Sequence, residues 1–270
     1  MNNRFNQIFK VQKPIIGMVH LPASPGQPLA SSNLDFKRSL ELVRADTMAL
    51  IEGGIDGLLF CNERDLPYTA KLKSEVSAWT GFMIGSIYSE LNIPFGVNLL
   101  WDPIASIETA AATGASFVRE VMCGSFASDM GILTPDPALI AETRTRLKAE
   151  NLALLTNIVP EFANSLGGRS VAELAKSAEY FGFDGILISG PVAGITFDMQ
   201  HIVDAKRVVS SIPVIANTGV KLENLSETLK IADAVIVGSS LKIDGSTFNA
   251  VDQKRVKKFM STAVDIRKAI

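Results

Sequence analysis

Short apolar runs rich in β-branched residues alternate with longer amphipathic stretches along the whole chain. Eight of the short runs predict strands, because most are apolar at every position, which is typical of parallel strands buried on both faces. The predicted strands are Ile15–His20, Gly57–Asn62, Phe95–Leu99, Phe117–Val121, Ala153–Ile158, Gly185–Ser189, Val214–Asn217 and Ala234–Gly238. Amphipathic periodicity predicts the helices Asp35–Glu52, Ile104–Ala112, Ala138–Glu150, Val171–Phe181, Leu225–Ile231 and Asp252–Ala269.

The boundaries between these segments favour a barrel. Glycines such as Gly114 and Gly182 end a helical pattern just before a strand, where a left-handed residue is needed. About eight βα units at a mean spacing of roughly 30 residues predict a single (β/α)8 TIM barrel over residues 1–270, with 1–13 as an N-terminal extension. A doubly wound sheet is the alternative, but Leu21–Gly26 after the first strand does not match G-x-G-x-x-G. The sequence also contains no Walker-type phosphate loop.

Composition narrows the class of protein. The chain has 270 residues, of which 47% are hydrophobic, and no run approaches the roughly 20 apolar residues of a membrane span. The opening residues lack the apolar core of a secretion signal, and Cys61 and Cys123 form no metal-binding or CxxC spacing. These features predict a cytoplasmic protein. A net charge of −2 gives no electrostatic reason to expect nucleic acid as a partner.

Polar residues follow the predicted strands, at the ends where a barrel of this kind carries its active site. In strand order they are His20; Asn62 and Glu63; Asn98 and Asp102; Arg119 and Glu120; Asn157 and Glu161; Ser189 and Gly190; Asn217, Thr218 and Gly219; and Gly238, Ser239 and Ser240. The strand bodies themselves are apolar. We therefore expect a polar site at this mouth of the barrel.

The glycines and serines after the last strands predict a phosphate site, because loops seven and eight of such barrels often bind phosphate. The candidate phosphate-binding residues are Gly190, Gly219, Gly238, Ser239 and Ser240. Glycine lets backbone N–H groups approach an oxyanion, and the serines add hydroxyl donors. The alternative is that these glycines only make tight turns. Lys242 follows closely, and a solvent-facing side chain is the favoured interpretation there.

Three carboxylates from different strands are candidate catalytic groups: Glu63, Asp102 and Glu161. Two of them could act as acid and base if an apolar wall raised one pKa. They could equally bind a divalent metal such as Mg or Mn together with Asn62 or Asn98, since hard cations prefer oxygen ligands. The remaining alternative is that each caps the helix that follows it.

Several further side chains are candidates for the same mouth. His20 ends the first strand and faces either the pocket or a core partner, and a catalytic role follows from the first case. The candidate substrate-binding residues are Asn62, Asn98, Arg119, Asn157, Asn217 and Asp129. Cys61 is interpreted as a buried, unreactive thiol. The long loops Met122–Pro135, Pro160–Ser170 and Gly190–Phe197 are candidate lids.

Ordered motifs over nearly the whole chain resemble the BtpA/SgcQ family of barrels. The matching runs include Gly17–Pro22, Phe60–Glu63, Gly96–Pro103, Phe117–Glu120, Ala127–Gly131, Asn157–Glu161, Ala216–Val220 and Val237–Gly245. Cys61, Trp101-Asp102 and Asn157–Glu161 look more like the SgcQ-like branch, which is associated with sugar-uptake operons. The resemblance implies a barrel of the ribulose-phosphate-binding type. The family's other name reflects a role in photosystem I biogenesis.

Two classes of function remain open. The first is an enzyme of a phosphorylated sugar or related small metabolite, which would catalyse isomerisation, epimerisation or lyase chemistry by proton transfer next to a carbonyl. The second is a non-catalytic assembly factor, or a sugar-phosphate sensor, built on the same barrel. We expect a small phosphorylated metabolite as ligand and a homo-oligomer.

Overall fold

The computed structural model describes residues 3–30 and 35–270. Eight parallel strands form a closed barrel, with the strands in chain order around it. They are β1 (Ile15–His20), β2 (Gly57–Cys61), β3 (Phe95–Asn98), β4 (Phe117–Glu120), β7 (Ala153–Val159), β9 (Gly185–Ile188), β10 (Val214–Ala216) and β11 (Ala234–Val237). The predicted (β/α)8 fold is confirmed, and the eight predicted strands are found with ends that differ by one residue at most. The strand residues are buried almost without exception, because helices cover one face and side chains fill the other.

Helices surround the barrel. They are α1 (Arg4–Ile8), α2 (Phe36–Glu52), α3 (Ser74–Ile87), α4 (Pro103–Thr113), α5 (Pro137–Arg146), α6 (Val171–Tyr180), α7 (Met199–Val208), α8 (Leu225–Ile231) and α9 (Gln253–Ala269). Aspartate side chains cap five of them by accepting hydrogen bonds from backbone N–H groups of the first turn. The helices α1, α3 and α7 have no counterpart among the six that the pattern predicts. In α3 apolar residues lie all round the helix, so its amphipathic signal is weak.

The N-terminal segment closes the lower end of the barrel. Residues 1 and 2 of the expected extension lie outside the described residues, and α1 follows them. Phe5 and Phe9 are buried, and the ring of Phe9 lies 5.9 Å from that of Phe117 in β4. A side-chain carbon at Gly57 would approach Phe9 to 2.7 Å, so glycine is needed for the two to pack.

Two of the candidate lids contain a small antiparallel sheet. Its strands are β5 (Phe126–Ser128), β6 (Gly131–Leu133) and β8 (Ala163–Ser165), and β5 lies in the middle. The strands are three residues long, so they carry no alternation that a sequence pattern could reveal. Asp129 lies at the tip of the β5–β6 hairpin and is exposed.

Within the described part of the chain, every helix is too short or too polar to cross a membrane. The expected homo-oligomer concerns contacts between chains, and it stays a prediction.

Candidate active site

A cavity of about 620 Å³ opens at the C-terminal ends of the barrel strands. Its wall is built by residues that lie in or follow β1, β2, β3, β4, β7, β9, β10 and β11, together with the first turns of α9. The predicted site residues that line it are His20, Glu63, Arg119, Glu161, Asn217, Gly219, Gly238, Ser239 and Ser240. Tyr68, Trp101, Phe162, Thr218, Lys221, Arg255 and Lys258 line it as well.

A buried ion pair forms part of the cavity wall. One terminal nitrogen of Arg119 (Nη2) lies 2.9 Å from each carboxylate oxygen of Glu161. Their side chains are only 6% and 9% exposed. Burial disfavours the charge on Arg119, but Glu161 and Glu120 outweigh that effect and raise the pKa of the guanidinium. Arg119 is therefore a fixed cation whose charge is already balanced.

Glu161 is saturated by further donors. The amide of Asn157 donates to Oε2 at 3.2 Å, and the amide of Asn217 donates to Oε1 at 3.1 Å. The hydroxyl of Thr218 also donates to Oε1. These contacts engage both carboxylate oxygens, so Glu161 anchors the wall and is a poor candidate for a mobile proton carrier. Asn157 and Asn217, both predicted to bind substrate, donate to Glu161, and of the two only Asn217 also lines the cavity.

Two further buried residues, Asn98 and Glu120, extend the hydrogen-bond network of Arg119. Asn98 accepts a hydrogen bond from Arg119 Nη1 at 2.6 Å and donates one to Glu120 Oε1 at 2.7 Å. The backbone N–H of Val121 donates to the other oxygen of Glu120. Burial nevertheless raises the pKa of Glu120 to about 8. Asn98 does not line the cavity, so it positions Arg119 rather than contacting a ligand.

Glu63 differs from Glu161 because it faces the cavity without a cationic partner among the described residues. The thiol of Cys61 lies 3.7 Å from Oε2, and the hydroxyl of Tyr68 donates to the backbone carbonyl of Glu63 at 3.0 Å. Burial and the negative charge of Glu161 raise the pKa of Glu63. Burial raises the pKa of Cys61 as well, which agrees with an inert thiol. Glu63 therefore has the environment of a general acid or base.

Asp102 does not belong to the cavity. Its carboxylate caps α4 by accepting from the N–H groups of Ile104 and Ala105 at 3.1 and 3.0 Å, and it also accepts from Leu72. The capping alternative describes this residue, and the catalytic interpretation does not. The structure thus corrects the prediction, because the same side chain satisfies the orphan N–H groups that begin a helix.

Asn62 ties two loops together outside the cavity. It accepts from the N–H of Leu100 at 2.7 Å and donates to Asp65 at 3.1 Å, so it has no free group for a substrate. In the described ranges, 3–30 and 35–270, no three His, Cys, Asp or Glu side chains are grouped to hold a metal ion. The predicted metal set of Glu63, Asp102 and Glu161 with Asn62 or Asn98 does not assemble.

The glycine–serine end of the cavity consists of Gly219, Gly238, Ser239 and Ser240. Gly219 has a φ of +82°, and a side chain there would overlap the carbonyl oxygen of Ile195. Ser239 and Ser240 begin a 3₁₀ turn after β11, so backbone N–H groups without helical partners lie beside Gly238. The structure therefore brings these four predicted residues together in the cavity wall, and phosphate binding there stays a prediction.

Three basic residues line the glycine–serine end, and the sequence reading missed them. Lys221 follows Gly219 by two residues, while Arg255 and Lys258 lie in the first turns of α9. Arg255 reaches the carbonyl oxygen of Ser240 at 3.3 Å, which fixes its position at this end. Their clustering comes from the packing of α9 over the barrel mouth.

Three other predictions at the mouth need correction. Lys242 is 1% exposed, where its ammonium donates to the carbonyl of Asn249 at 3.0 Å and lies 3.5 Å from Asp46, so the solvent-facing interpretation was wrong. Gly190 packs against the backbone of Ile195 and does not line the cavity. The exposed Asp129 also lies outside the cavity wall.

His20 lies on the cavity wall at the end of β1, as one of the two interpretations expected. Its ring nitrogen Nδ1 is 3.2 Å from the carbonyl oxygen of Thr247. Burial, reinforced by the nearby cation of Lys242, lowers the pKa of His20 to about 3. The imidazole is therefore neutral at physiological pH.

Comparison with known proteins agrees with this architecture. The sequence profile of the BtpA family matches residues 11–265. The sgc region protein SgcQ of Escherichia coli is 40% identical over 263 residues, which cover 97% of this chain and 98% of that protein. The photosystem I biogenesis protein BtpA of Synechocystis is 28% identical over 264 residues, which cover 96% of this chain and 91% of that protein. A solved phosphoribosyl anthranilate isomerase from Thermus thermophilus has a TM-score of 0.59 at 12% identity, covering 94% of this chain and 99% of its own. That likeness concerns the fold, and the sequence matches establish that the chain belongs to the BtpA family.

Proposed function

We propose that the cavity binds a phosphorylated sugar or a related small metabolite and transfers a proton within it, as an isomerase, epimerase or lyase does. One observation carries the proposal. A single cavity combines an end rich in glycine, serine and cations with a carboxylate, Glu63, whose pKa is raised. Anion binding and proton transfer are thereby available on the same bound molecule.

The glycine–serine end supports the phosphate half of the proposal. Lys221, Arg255 and Lys258 supply positive charge, and the 3₁₀ turn at Ser239 supplies unpaired N–H groups. The name of the Thermus thermophilus structural neighbour, an isomerase of a phosphoribosyl compound, agrees with this ligand class. In such barrels phosphate commonly binds at the seventh and eighth loops.

Glu63 is the proposed proton carrier, and Arg119 is the proposed electrostatic partner. A raised pKa lies closer to neutral pH, so the carboxyl group can both give and take a proton there. Arg119 is held in place by Glu161 and Asn98, so it is preorganised to stabilise charge that develops on a substrate oxygen. Glu161 is assigned the role of a positioning residue.

Ligand binding tests the phosphate half. We expect inorganic phosphate and pentose or hexose phosphates to raise the melting temperature of the protein. The double variant Lys221→Met/Lys258→Met should bind them at least fivefold more weakly, since each exposed charge pair contributes up to about 1 kcal/mol. Lys254→Met removes an equally exposed lysine of α9 from outside the cavity and serves as the matched control. A wild-type protein that none of these anions stabilises would contradict the proposal.

Proton exchange tests the catalytic half. Sugar phosphates incubated in D₂O should gain deuterium next to their carbonyl, as detected by NMR. Glu63→Gln should slow this exchange by at least about 100-fold, within the usual range for loss of a general acid or base. Glu227→Gln, on the exposed side of α8, is the control that should exchange at the wild-type rate.

A second candidate function is a non-catalytic assembly factor, supported by the name of the Synechocystis relative. It predicts that sugar phosphates neither bind nor exchange. A sugar-phosphate sensor gives a third pattern, in which the ligands bind but no deuterium is incorporated by either the wild type or Glu63→Gln. The two experiments together separate the three functions.

A further inference from the structure

The tautomer of His20 is set by its hydrogen bond. Nδ1 lies 3.2 Å from the backbone carbonyl oxygen of Thr247, and a carbonyl oxygen can only accept. The proton of the neutral ring is therefore on Nδ1, and Nε2 carries a lone pair. The segment that provides Thr247 is fixed in turn, because the hydroxyls of Thr247 and Ser239 lie 2.7 Å apart.

Nε2 faces the cavity beside the glycine–serine end. Within residues 3–30 and 35–270, Nε2 has no hydrogen-bond partner. It is also not one of the atoms that are both fully buried from solvent and unpartnered. A side-chain carbon placed on Gly238 would lie 3.4 Å from Nε2. Glycine at this position thus leaves the lone pair uncovered, next to the proposed phosphate site.

The surrounding charges keep His20 neutral and also select its partner. Lys242, Arg64 and Arg119 are the charged groups that act on the ring, and all three are cations. Together with burial they oppose protonation, so Nε2 is an acceptor and not a donor. The same cations disfavour an ammonium group as the donor that Nε2 requires. A phosphate oxygen also fails as a partner, because a phosphate dianion carries no proton to donate.

A neutral hydroxyl satisfies all of these conditions. We infer that Nε2 of His20 accepts a hydrogen bond from a ligand hydroxyl next to the phosphate, so that the cavity selects phosphate monoesters of polyols or sugars with a free hydroxyl on the carbon beside the ester. The inference rests on the proposed phosphate site. His20 then acts as a specificity-determining residue, and proton transfer remains with Glu63.

Two small phosphate esters provide the test. Propane-1,2-diol 1-phosphate carries the adjacent hydroxyl, and n-propyl phosphate has the same carbon chain without it. By isothermal titration calorimetry we expect the wild-type protein to bind propane-1,2-diol 1-phosphate about tenfold more tightly, since loss of the hydrogen bond leaves Nε2 unpaired in the complex. Inorganic phosphate is titrated in parallel.

His20→Phe retains a ring but lacks the acceptor, so the ratio of the two dissociation constants should fall to about one. Its affinity for n-propyl phosphate should change less than threefold, which also verifies that the variant is folded. His20→Gln can offer an amide oxygen in place of Nε2, and it should recover part of the ratio. In the wild type the ratio should be constant between pH 5.5 and 8, because both esters share the same phosphate ionisation.

The outcomes are separable. Equal affinities of the wild type for the two esters, or an unchanged ratio in His20→Phe, would overturn the role of His20 and leave the phosphate site standing. A ratio that changes steeply below pH 7 would show a protonated imidazole and would also overturn it. If neither ester nor inorganic phosphate binds, the proposed function fails together with this inference.

Discussion

The two ends of the cavity use charge in opposite ways. At the end formed by Arg119 and Glu161, each charge is met by a partner 2.9 Å away, and Asn157 and Asn217 saturate the carboxylate. At the glycine–serine end, the backbone N–H groups of a 3₁₀ turn and the side chains of Lys221 and Lys258 line the cavity, and Arg255 beside them donates to the carbonyl of Ser240. Burial thus fixes the position of a charged group through its internal partners, whereas exposed groups are free to reorient towards a ligand.

The difference follows from where the residues lie along the chain. Arg119 is inside β4, so its side chain is enclosed by neighbouring strands and requires an internal partner. Gly219 lies three residues beyond β10, in a loop where the backbone itself is accessible.

The largest expected effect comes from breaking the buried pair. Glu161→Ala should lower the free energy of unfolding by about 3–5 kcal/mol, because Arg119 is left buried without a counter-charge. Urea denaturation measures the loss. The double variant Arg119→Met/Glu161→Leu should recover much of it. Glu108→Ala breaks a pair with Arg146 whose side chains are 48% and 57% exposed, and should cost about 0–1 kcal/mol. Similar losses at both pairs would contradict the expected difference between a buried and an exposed ion pair.

The next effect concerns Gly219, which shapes the glycine–serine end of the cavity. Gly219 and Gly194 have nearly the same φ, +82° and +81°, but only Gly219 packs against the carbonyl of Ile195. Gly194→Ala should cost about 1 kcal/mol through its backbone conformation alone. Gly219→Ala should cost about 1–3 kcal/mol more, because the new methyl group must displace the neighbouring loop. Urea denaturation of both variants checks the difference, and equal losses would show that the contact is unimportant.

A further effect appears in the pH dependence of stability. The imidazole of unfolded chains takes up a proton below about pH 6.5, while the pKa of His20 in the folded protein is about 3. His20 therefore contributes stability that decreases as the pH falls from 6.5 towards 3, by at most about 1.4 kcal/mol per pH unit.

Urea unfolding at pH 4, 5, 6 and 7 measures this slope. His20→Phe should show a shallower pH dependence than the wild type, because phenylalanine binds no proton in either state. His201→Gln removes the other histidine of the chain and is the matched control. A slope that His20→Phe leaves unchanged would argue against a buried neutral ring.

The smallest expected change in the free energy of unfolding concerns the lysines of the glycine–serine end. Lys221→Met/Lys258→Met should change the free energy of unfolding by no more than about 0.5 kcal/mol, as expected for exposed side chains. Thermal and urea unfolding of the ligand-free protein measure it. A loss above 1 kcal/mol would place these lysines in the scaffold, like Arg119.

The fold was largely accessible from sequence because eight buried parallel strands leave long apolar runs at regular spacing. The antiparallel sheet of β5, β6 and β8 was not, since three-residue strands depend on contacts between loops that are distant in the chain. The same limit applies to Lys242, whose partner Asp46 lies almost 200 residues away. Its burial is a property of the tertiary structure.

The site was predicted as a set of residue types at the correct end of the barrel, but not as roles. Asp102 and Glu63 both follow a strand, yet one caps a helix and the other faces the cavity. A carboxylate at a strand end serves either purpose, and only the direction of the side chain separates them. Arg255 and Lys258 were missed for a related reason, since a basic helix surface is usually solvated and here it overhangs the mouth.

The aromatic closure at the lower end of the barrel has a consequence for traffic. Phe5 and Phe9 are packed beneath the strands, at the end of the barrel opposite to the cavity, and in the described ranges they fill the axial route to that end. A substrate and product of the proposed reaction would then both pass the C-terminal ends of the strands. Arrival and departure would compete for the same side of the barrel, and a compound bound there would block both.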